Sequence, residues 1–502
     1  MILTPKQVQE IEAEAISAGA SEEALMEEAG AKMTQVIREF FPVPGRCIAV
    51  FGKGHNGGDA LVVARILSEC GWQVSLVPVH ARSKWRDLTA KKWEQAGRCH
   101  TFESCRIPDA ACGESKPFII LDGILGIGAA GALADPISKV CRDINSLREH
   151  SHAQTIALDI PTGLNGETGE ADSNALVADL TITVGFAKAG LVADGAENFT
   201  GRLCVVPIQP FSEVPQPAGA DLSCVNTAGT LRLMIKRRPA SSHKGYSGRV
   251  LLIAGSVGTL GAASLAAQGA LRSGAGLVTL GVPRDIYASV CAVTPAECMV
   301  VPFEDPRDVL TLKADALGIG PGLGLRNEQQ VMCAVRDFPG PAVLDADALN
   351  IIAMHGNTIL TQCAGPRLLT PHPGEMKRLC SEAPSLSRRA LVEEFTSRFP
   401  VTLLLKGART IFGERGGSIS YNPTGNAGMA CGGMGDVLTG VCATLLAQGH
   451  SCLNAARIGS WLCGRSAEIL ISSGRRSVES LLPSDVAHGL GAAFESLRRG
   501  ML

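Results

Sequence analysis

The sequence predicts an α/β protein built from two doubly wound domains. Three features point there. Short Val/Ile/Leu-rich runs, which suit buried parallel strands, alternate with helix-period patterns along most of the 502 residues. Most of these runs deliver a Gly, Asn, Asp, His or Lys at the carboxyl end, where open α/β sheets hold ligands. Residues 210–220 have no period and contain Pro210, Pro215 and Pro217. That stretch reads as a semi-rigid boundary between domains 1–212 and 221–502.

Composition agrees with this class and narrows the function. The chain is 46% hydrophobic with 57 Gly and only 4% aromatic residues, as Gly-rich α/β layers require. A net charge of -2 gives no global basic field, so neither nucleic acid nor a membrane is expected as a partner. The 17 cysteines include no C-x-x-C pair and no metal-ligand spacing, so a reduced, cytoplasmic protein is expected. The start, Met1-Ile2-Leu3-Thr4-Pro5-Lys6-Gln7, shows no basic-then-apolar secretory pattern. No run of about 20 apolar residues could span a bilayer.

In the first half, residues 4–40 carry helix-period apolar positions. The strand Arg46–Phe51 then enters Gly52-Lys53-Gly54-His55-Asn56-Gly57-Gly58-Asp59, with a helix expected over 60–70. Strand, glycine loop and helix in that order make a phosphate or nucleotide site in an open sheet, although the loop is neither a Rossmann nor a Walker fingerprint. Further strands are expected at 74–79, 118–121, 155–158, 180–184 and 203–208. Two of them end in acids, Asp122 before Gly123 and Asp159 before Ile160-Pro161-Thr162-Gly163. Each acid alone is an ordinary turn former; with Asn56, three strand ends offer polar groups to one crevice.

These motifs, residues 52–65, 122–126 and 159–163, resemble the YjeF N-terminal domain, the NAD(P)HX epimerase family, over residues 1–210. The resemblance implies a Rossmann-like fold and a potassium ion held by Asn56, Asp122 and Thr162. It also implies contacts to the hydrated nicotinamide nucleotide from His55, Asn56, Gly57, Gly58 and Asp59, from Gly126, Ile127, Gly128, Ala129, Ala130, Gly131 and Ala132, and from Asp159, with Asp159 as the proton-transfer group. Two positions depart from the family pattern. His55 stands where Asn is usual, and the loop after Asp122 lacks the usual Lys or Arg.

In the second half, strands are expected at 249–256, 276–281, 316–319, 341–345, 368–370 and 401–410, and an Ala-rich helix through Leu271. Thr424 to Gly440 is the most informative stretch. Four glycines lie between Gly428 and Gly435, Asp436 follows, and Val437, Leu438, Val441, Leu445 and Leu446 recur at helix spacing. Glycines at a helix N-terminus free backbone N–H groups for an anion. Asp436 would repel that anion, so it is placed to take a proton or hold a cation beside it. A tight turn with Asp436 as a helix cap is the plain alternative. Asp345 and Asp347 alternate and are expected on one side of their strand, near magnesium or as helix caps. His372 between two prolines could be a satisfied loop histidine.

The motifs His243-Lys244-Gly245, 320–324, 345–349, 370–375, 406–408 and 432–436 stand in the order of the YjeF C-terminal domain, the ADP/ATP-dependent NAD(P)HX dehydratase family, which they resemble. This implies a ribokinase-like fold over 221–502. Lys406, Gly407, Ala408, Arg409, Thr410 and Gly435 would bind ADP or ATP with magnesium. Ala262, Gly322, Gly324, His372 and Asp436 would contact the hydrate, with Asp436 catalytic and a homo-oligomer expected. Such a protein would epimerise R- and S-NAD(P)HX and dehydrate the S form at the expense of ADP or ATP. The rival is a vitamin-alcohol kinase with a non-catalytic nucleotide- or protein-binding first module, because that fold shares the Gly-x-Gly-Asp loop.

Overall fold

The computed structural model describes residues 1–97, 99–101, 116–129, 131–151, 153–217, 219, 221–380 and 386–501. The chain divides into two compact units, Met1–Val225 and Asn226–Met501. Residues 210–212 form a short turn whose Phe211 is buried in the core of the first unit. A Cβ at Gly185, whose φ is 69°, would fall 2.6 Å from the Phe211 ring. The proline-rich stretch is therefore anchored at its start; Ala218 and Ala220 lie outside the described residues.

Among the described residues the first unit holds a seven-stranded sheet, ordered 100–101, 73–78, 46–51, 118–123, 154–158, 180–184 and 202–206. Every pairing is parallel. Period two along Arg46–Phe51 puts Cys47, Ala49 and Phe51 into the core under helices Pro5–Ser17, Glu22–Phe40 and His55–Glu69, and Ile48 and Val50 against helix Ile137–Ser151. Three expectations shift. The helical stretch 4–40 breaks at residues 18–21, where Gly19 takes φ 106°. The helix expected from 60 begins at His55, so Asn56 to Asp59 form its first turns. The reason is packing: a Cβ at Gly57 would lie 2.2 Å from the Gly52 carbonyl oxygen, and one at Gly58 would lie 2.5 Å from the Met26 methyl. These two glycines let the helix close onto its strand and onto helix Glu22–Phe40. Third, Ile2–Leu3 pairs with Ala187–Lys188 in a two-stranded parallel ladder that the sequence reading did not foresee.

In the second unit the strands run in the order 420–421, 411–414, 402–405, 367–369, 342–344, 316–319, 249–253, 277–283 and 299–303. All are parallel from 402–405 onward, and 411–414 and 420–421 are antiparallel. The strand expected over 401–410 ends at Leu405, because Leu405 pairs back with Ile411 and residues 406–410 form the hairpin connection. In both units the order reverses beside the first strand of the sheet, 46–51 or 249–253, which makes that edge the switch point.

Helix Met434–Ala447 is buried on all sides from Val437 to Leu446, the state of an all-apolar helix inside a core. It crosses helix Leu260–Arg272 closely, because a Cβ at Gly440 would lie 2.0 Å from the Ala266 carbonyl oxygen and one at Gly269 2.3 Å from that of Val437. The crossing fixes the axis of the helix that carries Asp436. Gly440→Ala should therefore cost about 1–3 kcal/mol through overpacking, read as a lower urea midpoint with unchanged slope. An unchanged midpoint would show that the two backbones can separate freely.

Candidate functional site

In the first unit, His55, Asn56, Asp59, Gly126, Ile127, Gly128, Ala129 and Asp159 line one cavity of about 530 Å³, a size suited to a small-molecule ligand. Gly57 and Gly58 lie buried in the helix start behind it. Gly131 and Ala132 are not part of the lining. Ala130 lies outside the described residues.

Asp122 and Thr162 sit behind this wall, fully buried. The Thr162 N–H and hydroxyl each donate to Asp122 at 2.7 Å, and the Ile124 N–H donates at 3.2 Å. Burial still pushes the Asp122 carboxyl up to about 6, against those hydrogen bonds. No cationic side chain pairs with it among the described residues. The Asn56 amide donates to the Leu125 carbonyl at 2.6 Å, which leaves Asn56 Oδ1 buried with no donor. A buried carboxylate without a cation, an orphaned carbonyl oxygen and a hydroxyl make an all-oxygen set that fits a hard cation.

Asp159 ends strand Gln154–Leu158 with φ 70°, a conformation that Asp tolerates better than most residues. Its carboxylate accepts from Lys188 Nζ, from the Thr183 hydroxyl at 3.0 Å and from the Val184 N–H at 3.2 Å. Lys188 is buried and also donates to Thr183 Oγ1 at 2.9 Å and the Val184 carbonyl at 3.1 Å. Lys188 was missed by the sequence reading, although it is the last residue of the short strand Ala187–Lys188. Lys53 and Arg86 also reach the cavity, and Arg86 meets His55 Nε2 at 2.9 Å. Cationic side chains thus reach the cavity from elements other than the loop after Asp122, and His55 has a local partner. Glu12, Glu22 and Asp59 bring further carboxylates to the lining. Burial raises the Glu12 and Asp59 carboxyls, Asp59 well above the usual range, with Asp159 reinforcing the shift in each.

In the second unit, Gly433 takes φ 99° as the N-cap of helix Met434–Ala447, and Asp436 falls in the first turn. The Asp436 carboxylate carries no hydrogen bond or ion pair among the described residues. Burial, then the charge of Asp345, pushes its pKa up to about 7 against the opposing pull of Lys406. Lys406 Nζ donates to Asp345 Oδ1 at 2.7 Å, and the Thr439 hydroxyl donates to Asp345 Oδ2 at 2.8 Å. Burial works against the Lys406 ammonium, but Asp345, Glu375 and Asp436 outweigh it and raise its pKa. A Cβ at Gly435 would stand 3.0 Å from Lys406 Nζ and 3.3 Å from Asp345 Oδ2, so a side chain there would crowd this pair.

The expectation that Asp345 and Asp347 share one side of a strand is corrected. The strand stops at Leu344 and Asp347 lies in the first turn of helix Ala346–His355. Asp347 accepts from the Gly324 N–H at 2.8 Å and from Asn350 at 3.2 Å, while Asp345 faces Lys406 and Thr439. Gly320, Gly322 and Gly324 all have positive φ. The Ser256 and Thr259 hydroxyls donate to the Gly322 carbonyl at 2.9 and 2.6 Å, and a Cβ on Gly322 would lie 2.9 Å from that of Ala262. His372 caps its own helix: its Nδ1 accepts from the Gly374 N–H at 2.9 Å while Glu375 Oε2 accepts from the His372 N–H at 2.8 Å. Its ring remains half exposed. Arg409 and Thr410 are buried, so of the 406–410 turn Lys406, Gly407 and Ala408 are the residues open to a nucleotide. A Cβ on Gly407 would meet the Arg388 guanidinium at 2.3 Å.

Two α/β units with polar groups gathered at sheet switch points define a two-site enzyme acting on nucleotide-like molecules. Residues 250–487 match the NAD(P)H-hydrate dehydratase family and residues 22–190 the YjeF-related protein N-terminus. The bifunctional NAD(P)H-hydrate repair enzyme of Moorella thermoacetica is 37% identical over 88% of this chain and 87% of its own. That of Gloeobacter violaceus is 35% identical over 96% and 97%. The Bacillus subtilis ADP/ATP-dependent NAD(P)H-hydrate dehydratase, co-crystallised with ATP and magnesium, is 29% identical and covers 55% of this chain and 100% of its own, with a TM-score of 0.49. The chain belongs to the family of bifunctional NAD(P)H-hydrate repair enzymes. The vitamin-alcohol kinase alternative is set aside.

The ion pair of Asp159 with Lys188 yields a direct test. Lys188→Met leaves the Asp159 carboxylate, itself only 14% exposed, without its cation. The cost should be about 3 kcal/mol, the low end for a broken buried pair because Asp159 opens on a cavity. Chemical denaturation reads it, and a loss below about 1 kcal/mol, the worth of a surface pair, would contradict the assignment.

Proposed function

We propose that the first unit interconverts the R and S forms of NADHX and NADPHX, and that the second dehydrates the S form at the expense of ADP or ATP with magnesium. One observation carries the reading: an unpaired carboxylate, Asp436, pushed up to about 7, sits in the first turn of a helix behind a glycine loop. In the proposed reaction Asp436 accepts the proton of the substrate hydroxyl as its oxygen attacks the terminal phosphorus of the nucleotide. The amides of residues 432–435 stabilise charge on the transferring group. The carbon–oxygen bond then breaks with departure of phosphate, the neighbouring carbon gives up a proton, and the ring double bond re-forms. Lys406, held by Asp345, is a cation whose charge acts on Asp436 and would neutralise phosphate charge. Gly407, Ala408 and Gly435 give the nucleotide close backbone approach.

In the first unit, Asp159 is the proton-transfer group and Lys188 orients it. Asn56, Asp122 and Thr162 would hold potassium, which would balance the buried Asp122 charge and fix the loop that begins at Ile124. His55, Asp59 and residues 126–129 shape the cavity around the hydrated ring and its phosphates.

The test is a time course on a mixed-epimer substrate with ATP and magnesium, following absorbance of the reduced cofactor. Wild-type protein should consume both epimers, and Asp436→Asn should lose at least ~10²-fold in dehydration. Because Asp436 must be ionised to accept a proton, kcat/KM for dehydration should fall below about pH 7, roughly tenfold per unit. Dehydration that survives Asp436→Asn, or a rate flat between pH 5 and 7, would remove Asp436 from the reaction.

A further inference from the structure

The His243-Lys244-Gly245-Tyr246-Ser247-Gly248 motif has no place in the chemistry above. It precedes strand Arg249–Ile253, so it lies at the amino end of the sheet, whereas Asp436 and its neighbours lie at the carboxyl end. There it helps to line a cavity of about 480 Å³ within the second unit. Glycines press the motif into place. A Cβ at Gly276 would stand 1.7 Å from the Lys244 carbonyl oxygen, and one at Gly248, whose φ is 82°, 2.5 Å from that of Ala447. Gln448 and His450, which follow helix Met434–Ala447, line the same cavity. That helix of 14 residues separates the cavity from Asp436 by about 20 Å.

The cavity is cationic in a chain whose net charge is -2. Lys236, Arg237, Arg238, Arg272 and Arg498 line it, with Glu495 as the one carboxylate. Glu495 is spent on Arg498. Arg238 donates to the Gly274 carbonyl and keeps its charge. No hydrogen bond or ion pair engages Lys236, Arg237 or Arg272 among the described residues. His450 is held down by burial and by Lys236, so it adds no charge. Part of this positive charge answers the carboxyl ends of helices Leu260–Arg272, Met434–Ala447 and Pro483–Arg499, each bringing about half a negative charge. Four cations outweigh that contribution, and the cavity stays positive. Two aromatic rings share the lining: Tyr246, 50% exposed, and Phe494, over which the Arg498 guanidinium lies at 5.7 Å.

We propose that this cavity is a second nucleotide-binding site, separate from the reaction centre, that takes a diphosphate on Arg237, Arg272 and Lys236 and a base against Tyr246 and Phe494. Charge-assisted contacts to phosphate and ring stacking supply the recognition. The site stands on its own cavity and does not depend on the roles assigned to Asp436 or Asp159.

The test is calorimetric titration of the full-length protein with ADP. The variants are Arg237→Ala/Arg272→Ala, two exposed positions outside the catalytic machinery, and Phe494→Ala, each checked by thermal melting. The arginine double variant should bind one ADP fewer per chain than wild type while dehydrating NADHX at the wild-type rate. Phe494→Ala should weaken ADP at this site and leave inorganic pyrophosphate binding there unchanged. Equal ADP stoichiometry in wild type and the double variant would overturn the proposal. So would a wild-type site that binds pyrophosphate as tightly as ADP.

Discussion

The buried Asp345 carboxylate is the tie on which the second unit depends. It stands at the end of strand Ala342–Leu344 and accepts from Lys406, which follows the neighbouring chain of strands, and from Thr439 on helix Met434–Ala447. One side chain thus locks a sheet edge, a hairpin turn and the helix that presents Asp436. Its charge also acts at a distance, because it holds the Lys406 ammonium in place and helps to raise the Asp436 carboxyl. Buried charges of this kind cost desolvation and are retained where they fix an arrangement. Here the arrangement is a base that titrates near physiological pH, at about 7, beside a fixed cation.

The first unit solves a related problem differently. Its sheet has the same reversal of strand order, yet the buried Asp122 at the switch point has no side-chain cation among the described residues. It accepts from N–H and hydroxyl donors, and Asn56 Oδ1 is buried with no donor among the described residues. Such oxygen-rich surroundings suit a hard ion. The neighbouring Asp159 instead carries its own cation, Lys188, buried at the same strand end. Two carboxylates in adjacent strands thus stand in different surroundings, one among N–H and hydroxyl donors and the other beside an ammonium.

Much of this was legible in the sequence, for definable reasons. Apolar runs with polar ends located most of the parallel strands and placed Asn56, Asp122, Asp159 and Lys406 at carboxyl edges, because those patterns follow from strand burial. The glycines before Met434 announced the helix start. What escaped depends on partners far apart in the chain. Lys188 lies 29 residues from Asp159 and is brought in by the pairing of Ala187–Lys188 with Ile2–Leu3, which no local period encodes. Asp345 and Asp347 looked like a matched pair from their alternation, but the strand ended before either and the helix turned them to different partners. Arg409 belonged to a predicted nucleotide turn and proved to be buried. The two-residue strand pairs were too short to show a period at all.

The central claim is that an adenine nucleotide delivers its terminal phosphate to the glycine loop in front of Asp436. A crystal structure of the full-length protein with magnesium and a non-hydrolysable ATP analogue tests it most directly. The terminal phosphate should accept hydrogen bonds from backbone amides among residues 432–435, with the Asp436 carboxylate facing the position of the substrate hydroxyl. A nucleotide bound with that phosphate away from the loop, and Asp436 turned from it, would contradict the account.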